Sequence, residues 1–411
     1  MRKAAKVRLY PTPIQKQLLA QQFGCSRFWW NKALGLQYDH RSSEGRWLKR
    51  AELNAMLPGL KKELPWLSDC YSQVLQATTK HLEQAMKNWF DGFAKKPRFK
   101  AKKNKQSISF PQNVKIIGNS LKIPKIGLVE AKITQPITGK IKTVTISVNP
   151  SGKYYAAIGL DLADVEVSLS IEGAECTPAC DSDLKSESVR GKVTGIDLGL
   201  KDYVTCHNGT EAYSKSHPKW LKRHERNLRH QQKQLSRRQK GSNRRNTARG
   251  LVARVHEKLS NARQDFLHKL SRKITDENQV VVVENLNIKG MVKNRKLSQA
   301  IAQSGWGMFL NFLDYKLKHK GGVLVEIDRF FPSSKLCSNC GHKYQELELS
   351  EREWTCEACH TKHSRDENAA KNIRLEGIRI LGLGHSPHGD GVRLQTCSEA
   401  TVCEVSTTPV A

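Results

Sequence analysis

Two C-x2-C pairs, Cys337/Cys340 and Cys356/Cys359, stand fifteen residues apart in a chain of 411. No other feature constrains the local fold as tightly. Each C-x2-C turn presents two sulfurs to one metal, and two such turns close a tetrahedral thiolate shell, so the pattern predicts one Zn²⁺ bound by Cys337, Cys340, Cys356 and Cys359. A closed shell leaves no position for substrate, which makes the zinc structural. His360 and His363 offer alternative nitrogen ligands, but four sulfurs already suffice. The remaining cysteines carry no comparable pattern. Cys25, Cys70, Cys206, Cys397 and Cys403 are scattered, and Cys176 and Cys180 have no second pair nearby. An odd total of eleven argues against a complete disulfide framework. The start "MRKAAKVRLYP" lacks the apolar stretch of a signal peptide, and no apolar run approaches the roughly 18 residues that span a bilayer. These features predict a cytoplasmic protein with reduced thiols and no membrane partner.

Three acids lie at element ends. "GKVTGIDLGLKDYVTCHNGTEAY" reads as strand, tight turn, strand and a short third strand, with Asp197 ending the first. "QVVVVENLNI" is a buried strand of four consecutive valines that ends at Glu284. "RDENAAKNIRLEGIRIL" is helical, with Asp366 in its first turn. Each acid alone could be a turn residue or a helix cap. Together they follow the order strand-Asp, strand-Glu, helix-Asp of an RNase H-like nuclease, in which these ends converge. Three carboxylates at one point repel unless cations neutralise them. Two Mg²⁺ or Mn²⁺ ions about 3.5–4 Å apart would do so, activate water and stabilise the leaving oxygen. A helix around "GWGMFLNFLDYKLKHK" and a strand "GGVLVEIDRFF" precede the cysteines, so the zinc module is an insertion before the last acid.

The charge balance points to the substrate class. Sixty-nine basic residues face 39 acidic ones, a formal net charge of +30, which calls for a polyanion such as nucleic acid. Two basic runs stand out. "KKPRFKAKKNKQ" spans residues 95–106 and contains Lys95, Lys96, Arg98 and Lys100. Residues 218–249 hold twelve Lys or Arg against a single acid, Glu225, and include Arg237, Arg238, Arg244 and Arg245. The second run falls on two helices joined near "KGSNRRN", and its charge one-sidedness favours a nucleic-acid face over a merely solvated one. Near the N-terminus, "KAAKVRLYPT" reads as a strand. "PIQKQLLAQQFG" reads as a short helix opened by Pro13 and closed by Gly24. "KTVTISV" and "KYYAAIGL" flank "NPSG" as a hairpin. The expected architecture is a nucleic-acid-binding lobe over residues 1–165, a mixed β-barrel with a helical insertion at about 11–95. An acidic linker follows at 166–190. An α/β RNase H-like domain spans 191–380, with the zinc-ribbon-like insertion at 333–363. A flexible tail runs from 381 to 411. Trp29, Trp30 and Trp89 are expected in the core.

"GIDLGLKDYVT", "VVVENLNIKGM", "FPSSKLCSNCG", "WTCEACH" and "RDENAAKNI" closely resemble the TnpB family of insertion-sequence transposons. "VRLYPTPIQKQLLAQQFGCSRFWWN" resembles the N-terminus of that family, so the likeness covers roughly residues 1–380. The resemblance implies an RNA-guided DNA endonuclease with a RuvC domain. It implies a guide RNA from the transposon end, a duplex DNA target with a short adjacent motif, and a monomeric ribonucleoprotein. It places the RuvC carboxylates on Asp197, Glu284 and Asp366 and the zinc ligands on the four cysteines. One departure is Ser364, where the family often has an acid; at most the local hydrogen bonding should change. Two other readings remain open: a transposase that joins DNA ends with the same carboxylates, and an RNA-guided DNA-binding regulator that does not cut. The intact acids count against the latter.

Overall fold

The computed structural model describes residues 2–103, 105–134, 136–161, 192–348 and 351–382. The acidic stretch at 166–190, Cys176, Cys180, Cys397, Cys403 and nearly all of the expected tail lie outside these residues. The described chain forms two compact units. One holds the residues up to 161 together with Asn227–Glu257; the other holds the rest.

The first unit opens with β1 (Arg2–Tyr10), which leads into α1 (Pro13–Glu44). Thr12 caps α1 by a capping box: its hydroxyl accepts from Gln15 N, while Gln15 Oε1 accepts from Thr12 N at 3.0 Å. The expected stop at Gly24 does not occur, and α1 runs 32 residues to Gly45, whose φ is +71°. A mid-helix glycine costs about 1 kcal/mol. Phe23, Cys25, Ser26, Trp29, Trp30, Ala33 and Leu34 are buried on both sides of it, and that packing outweighs the cost. α2 (Arg50–Glu63) and α3 (Ser72–Phe90) complete the helical insertion. Trp29 is fully buried and donates to Thr79 Oγ1 at 2.8 Å, Trp30 is buried, and Trp89 packs at the edge of the same core.

Strands β2 (Gln106–Phe110), β3 (Lys115–Ile117), β4 (Ser120–Ile123), β5 (Gly127–Lys132), β6 (Lys140–Val148) and β7 (Tyr154–Asp161) then join β1. The expected barrel takes the form of a seven-stranded antiparallel sheet of order β2-β6-β7-β1-β5-β4-β3, in which the end strands β2 and β3 are not paired with each other. The hairpin read from "NPSG" is present as β6–β7.

The second unit is built on β8 (Val193–Asp197), β9 (Asp202–His207), β10 (Ala212–Ser216), β11 (Val280–Glu284) and β12 (Val323–Ile327). The order is β10-β9-β8-β11-β12, antiparallel from β10 to β8 and parallel from β8 to β12. The four valines of β11 are buried because both faces are covered. Val281 and Val283 pack with Leu267, Ile274, Phe309 and Leu313, whereas Val280 and Val282 pack with Val193, Ile327 and Ile373. The basic run forms α4 (Lys219–Ser236) and α5 (Asn243–Glu277), turning at Gly241, as read from the sequence; their hairpin tip, Asn227–Glu257, belongs to the first unit. Between β11 and β12 lie α6 (Ile288–Met291), α7 (Ser298–Ser304) and α8 (Trp306–His319). After the zinc module, α9 (Arg365–Ile380) lies along the sheet. Among the described residues no helix is long and apolar enough to cross a membrane.

Candidate active site and metal centre

The sheet brings Asp197 and Glu284 together by register. Ile196 pairs with Val283 in the parallel β8–β11 ladder, so the next residue of each strand, Asp197 and Glu284, emerges at the same edge. Asp366 arrives from α9. A Cβ on Gly195 would lie 2.2 Å from Ala370 O and one on Gly377 would lie 2.3 Å from Val282 Cγ2, so only glycine lets α9 approach the sheet this closely. The glycine of "GID" therefore brings the Asp366 helix down onto the Asp197 strand.

All three carboxylates are half-buried. Desolvation, then the charges of Glu284 and Asp366, push the Asp197 carboxyl up to about 7, partly relieved by Arg365. A cation among the three would remove this repulsion, so the donor set suits a hard divalent ion. In metal-free protein Asp197 holds its proton up to about pH 7, while an unfolded aspartate releases it near about pH 4. Native stability from this group therefore declines as pH rises through that window. Mg²⁺ should raise Tm more at about pH 8 than at about pH 6, and Asp197→Asn should erase the difference. Equal Mg²⁺-induced shifts at both pH values in scanning calorimetry would rule Asp197 out as the responsible group.

Two side chains that sequence reasoning missed contact the carboxylates. Ser333 Oγ donates to Glu284, and Arg352 Nη1 lies 3.3 Å from Asp366 Oδ1. The Ser333 loop is strapped to α9 by two buried asparagines. Asn372 Nδ2 donates to Ser333 O at 2.7 Å and Leu336 O at 2.6 Å. Asn368 donates to Leu336 O at 2.7 Å and accepts from Ser338 N at 3.0 Å. The signal was available: two asparagines four apart on the apolar face of "RDENAAKNI" must bond to something. Ser364 sits at the N-cap of α9, and its side chain makes no capping bond.

The cysteines fit zinc. A tetrahedron with Zn–S of about 2.3 Å has S···S edges of about 3.8 Å. Cys337–Cys359 and Cys340–Cys356 are each 3.6 Å apart, and the four sulfurs lie within 4.8 Å of one another. Hydrogen bonding by Thr361 draws the Cys359 thiol down to about 5, whereas Cys337 and Cys340 are raised, burial being a cause in both, a rise that a bound cation would oppose. His363 Nε2 is 3.0 Å from Cys337 Sγ, positioned to hydrogen-bond a ligand sulfur, while His360 is exposed. The second pair of cysteines lies in the connection between strands β13 (Glu353–Thr355) and β14 (Lys362–Ser364), and Tyr344 stacks on Trp354 at 5.4 Å.

Residues 177–295 match the OrfB_IS605 family, described as "Probable transposase". Residues 306–373 match the Cas12f1-like TNB domain, and residues 1–46 match a helix-turn-helix domain of OrfB_IS605. A relative from Streptomyces pristinaespiralis, named "Putative RNA-guided DNA endonuclease", is 35% identical over 414 residues, covering 98% of this chain and 94% of that protein. The chain belongs to the TnpB family. InsQ of Escherichia coli K12, which bears the same description, is 28% identical over 93% of this chain and 94% of its own length. A solved complex of Cas12f1 with sgRNA and target DNA shares the fold, with a TM-score of 0.55 at 13% identity over 91% of this chain and 98% of that one. The RuvC-type α/β domain, its zinc-ribbon-like insertion and the mixed N-terminal lobe are thus the fold expected from sequence.

The basic segments of this TnpB chain are unevenly available. Residues 97–100 form a strap pinned to α1: Tyr38 Oη donates to Pro97 O, Trp30 Nε1 to Arg98 O and Asn31 Nδ2 to Lys100 O, at 3.0–3.1 Å. Lys96 Nζ lies 4.3 Å above Tyr38 and Lys100 Nζ 3.6 Å above Trp30. Lys95 and Arg98 are exposed, as is Phe99 beside them. In the helical hairpin, Arg238 and Arg244 line a groove with Gln231, Gln234 and Thr247. Arg245 instead closes the turn, donating to Leu235 O at 3.0 Å and Arg238 O at 2.6 Å.

Proposed function

We propose that this TnpB chain is an RNA-guided, Mg²⁺-dependent DNA endonuclease, with residues 191–380 as its nuclease domain and residues 1–165 gripping nucleic acid. The meeting of Asp197, Glu284 and Asp366 at one edge of a RuvC-type sheet carries this reading. Two Mg²⁺ held by these carboxylates would activate water and stabilise the leaving oxygen of a phosphodiester. Ser333 fixes one oxygen of Glu284, leaving the other for the cation. Arg352 neutralises Asp366 in the metal-free protein and offers a guanidinium to phosphate beside the site. Lys95, Arg98, Arg237, Arg238 and Arg244 contact phosphate, with Lys96 and Lys100 held on aromatic faces. Arg245 keeps the hairpin tip in shape for that contact.

The relatives' names and the Cas12f1 complex support RNA guidance. The chain itself offers phosphate-binding surface, which gives affinity but little sequence information. A guide RNA transcribed from the transposon end supplies the missing reader, and the protein, a monomeric ribonucleoprotein, checks only a short flanking motif. Purified RNA-free protein should therefore leave duplex DNA uncut at defined sequences. RNA from its own locus plus Mg²⁺ should switch on cutting of a linear plasmid that carries a guide match beside a randomised flank. Site-specific cutting without RNA, or joining of DNA ends instead of hydrolysis, would overturn this reading in favour of a transposase.

A further inference from the structure

We propose that Phe330 stacks on a nucleobase of the single DNA strand held at the carboxylates. This rests on the nuclease reading and names how the strand is held there. Phe330 is 86% exposed, the highest value of any large hydrophobic side chain among the described residues. Single exposed apolar residues are ordinary on protein surfaces, so exposure alone says little. Where the ring stands, and how firmly it is held there, separate it from that background.

The loop that carries Phe330 begins and ends at Glu284. Parallel pairing sets Ile327, the last residue of β12, beside Glu284 of β11, on a neighbouring strand about 4.8 Å away. The chain then leaves the sheet at the edge from which Asp197 and Glu284 emerge. By Ser333 it has returned, and the Ser333 hydroxyl donates to Glu284. Phe330 is the midpoint, so its Cα lies at most about 10–11 Å from those of Ile327 and Ser333. Arg329 Nη2 donates to Asn285 Oδ1 at 3.4 Å, across to the residue after Glu284. The rest of its guanidinium fork adds positive charge at this edge, which suits a phosphate backbone.

The ring is held in place. Asp328, the acid of the loop, accepts from Phe330 N through Oδ1 at 2.7 Å and from Phe331 N through its carbonyl at 3.3 Å. Phe331 turns the other way and packs with Val282, Ile327 and Ile373. Ser333 N donates to Phe331 O at 2.9 Å, and Asn372 of α9 holds Ser333 O. Of two adjacent phenylalanines, one therefore anchors the loop in the core and the other faces solvent. The exposed ring has no polar atom for a phosphate. What it offers is a π-face, which every nucleobase matches. Such stacking is tolerant of sequence, as suits a nuclease whose sequence is read by a guide. Bases inside a duplex already stack on their neighbours, so the ring selects a single strand, and the strand displaced by guide pairing is one. Holding a base beside the scissile phosphate fixes the register of the strand at the carboxylates.

The test uses full-length protein loaded with its guide RNA and a matched duplex, with cutting of the displaced strand followed under single-turnover conditions. Phe330→Ala should slow that cutting about 5- to 100-fold, the range for loss of one base–aromatic stack, while target binding by gel shift without Mg²⁺ stays at wild-type level. Phe330→Trp should restore the rate. An abasic site walked along the displaced strand around the cut leaves guide pairing intact. At one position it should slow the wild-type protein by a similar factor, and there it should slow Phe330→Ala no further. Additive losses at every position, or an alanine variant that cuts at the wild-type rate, would overturn the proposal. A slow alanine variant that has lost zinc or melts lower would assign the ring to the fold, and one whose only change is its elution in size exclusion would assign it to contact between copies of the chain; either would also overturn it. Absence of cutting by the wild-type protein would instead refute the nuclease reading, and the proposal with it.

Discussion

Asp197→Ala, Glu284→Ala and Asp366→Ala should each lower Mg²⁺-dependent cleavage by about 10³-fold or more, while guide-directed DNA binding stays near wild type. The magnitude follows from what each side chain would supply. Metal-ion stabilisation of developing charge is worth several kcal/mol, and each 1.36 kcal/mol is tenfold in rate. Binding should survive because the candidate phosphate contacts lie elsewhere, at the 95–100 strap and the helical hairpin. Folding should survive because all three acids sit at element ends and are only half-buried. Removing one carboxylate also lessens repulsion among the others, so the metal-free variants should melt no lower than wild type near about pH 8. Cleavage and gel-shift assays on the same preparations decide the matter. Near-normal cutting by any one variant removes that residue from the site, and loss of binding alongside cutting would mean that the acids serve the fold.

The sequence exposed what is local and hid what depends on distant contacts. The quartet was legible because each C-x2-C turn is set by its own four residues. Asp197 and Glu284 were legible because apolar strands end at them. The β6–β7 hairpin was legible from alternation around "NPSG". Gly24 misled because its neighbours are buried by residues far along the chain, and that burial outweighs a local breaker. The partners of the carboxylates were invisible for the same reason. Ser333 and Glu284 are 49 residues apart, and only the strapping of the 333–338 loop to α9 brings them together. Arg245 shows the limit of reading charge alone: within a run of cations its guanidinium bonds to carbonyls of its own turn.

Cys337→Ser should release the zinc, unfold the module and suppress cleavage, although it touches no carboxylate. Among the described residues the module's buried core is only Cys337, Leu347, Trp354 and Cys356, with Tyr344 and Cys359 packed beside them. So small a core cannot hold a fold alone. Structural zinc in such modules contributes on the order of 10–16 kcal/mol, and losing one of four thiolates forfeits much of it. The damage should then divide along the two contacts. Arg352 precedes β13 inside the module, so its pairing with Asp366 should be lost. Ser333 lies at the module's base, where Asn372 of α9 holds its carbonyl, so its bond to Glu284 should persist. Cys337→Ser should therefore resemble Arg352→Ala in cleavage more than Ser333→Ala. Metal analysis should find about one zinc per wild-type chain and less in the variant. Limited proteolysis should cut the variant between residues 337 and 363 while sparing α9. A wild-type protein purified without chelator yet free of zinc would remove the metal from the argument. A variant that keeps both its zinc and its protease resistance would show that three thiolates and His363 suffice.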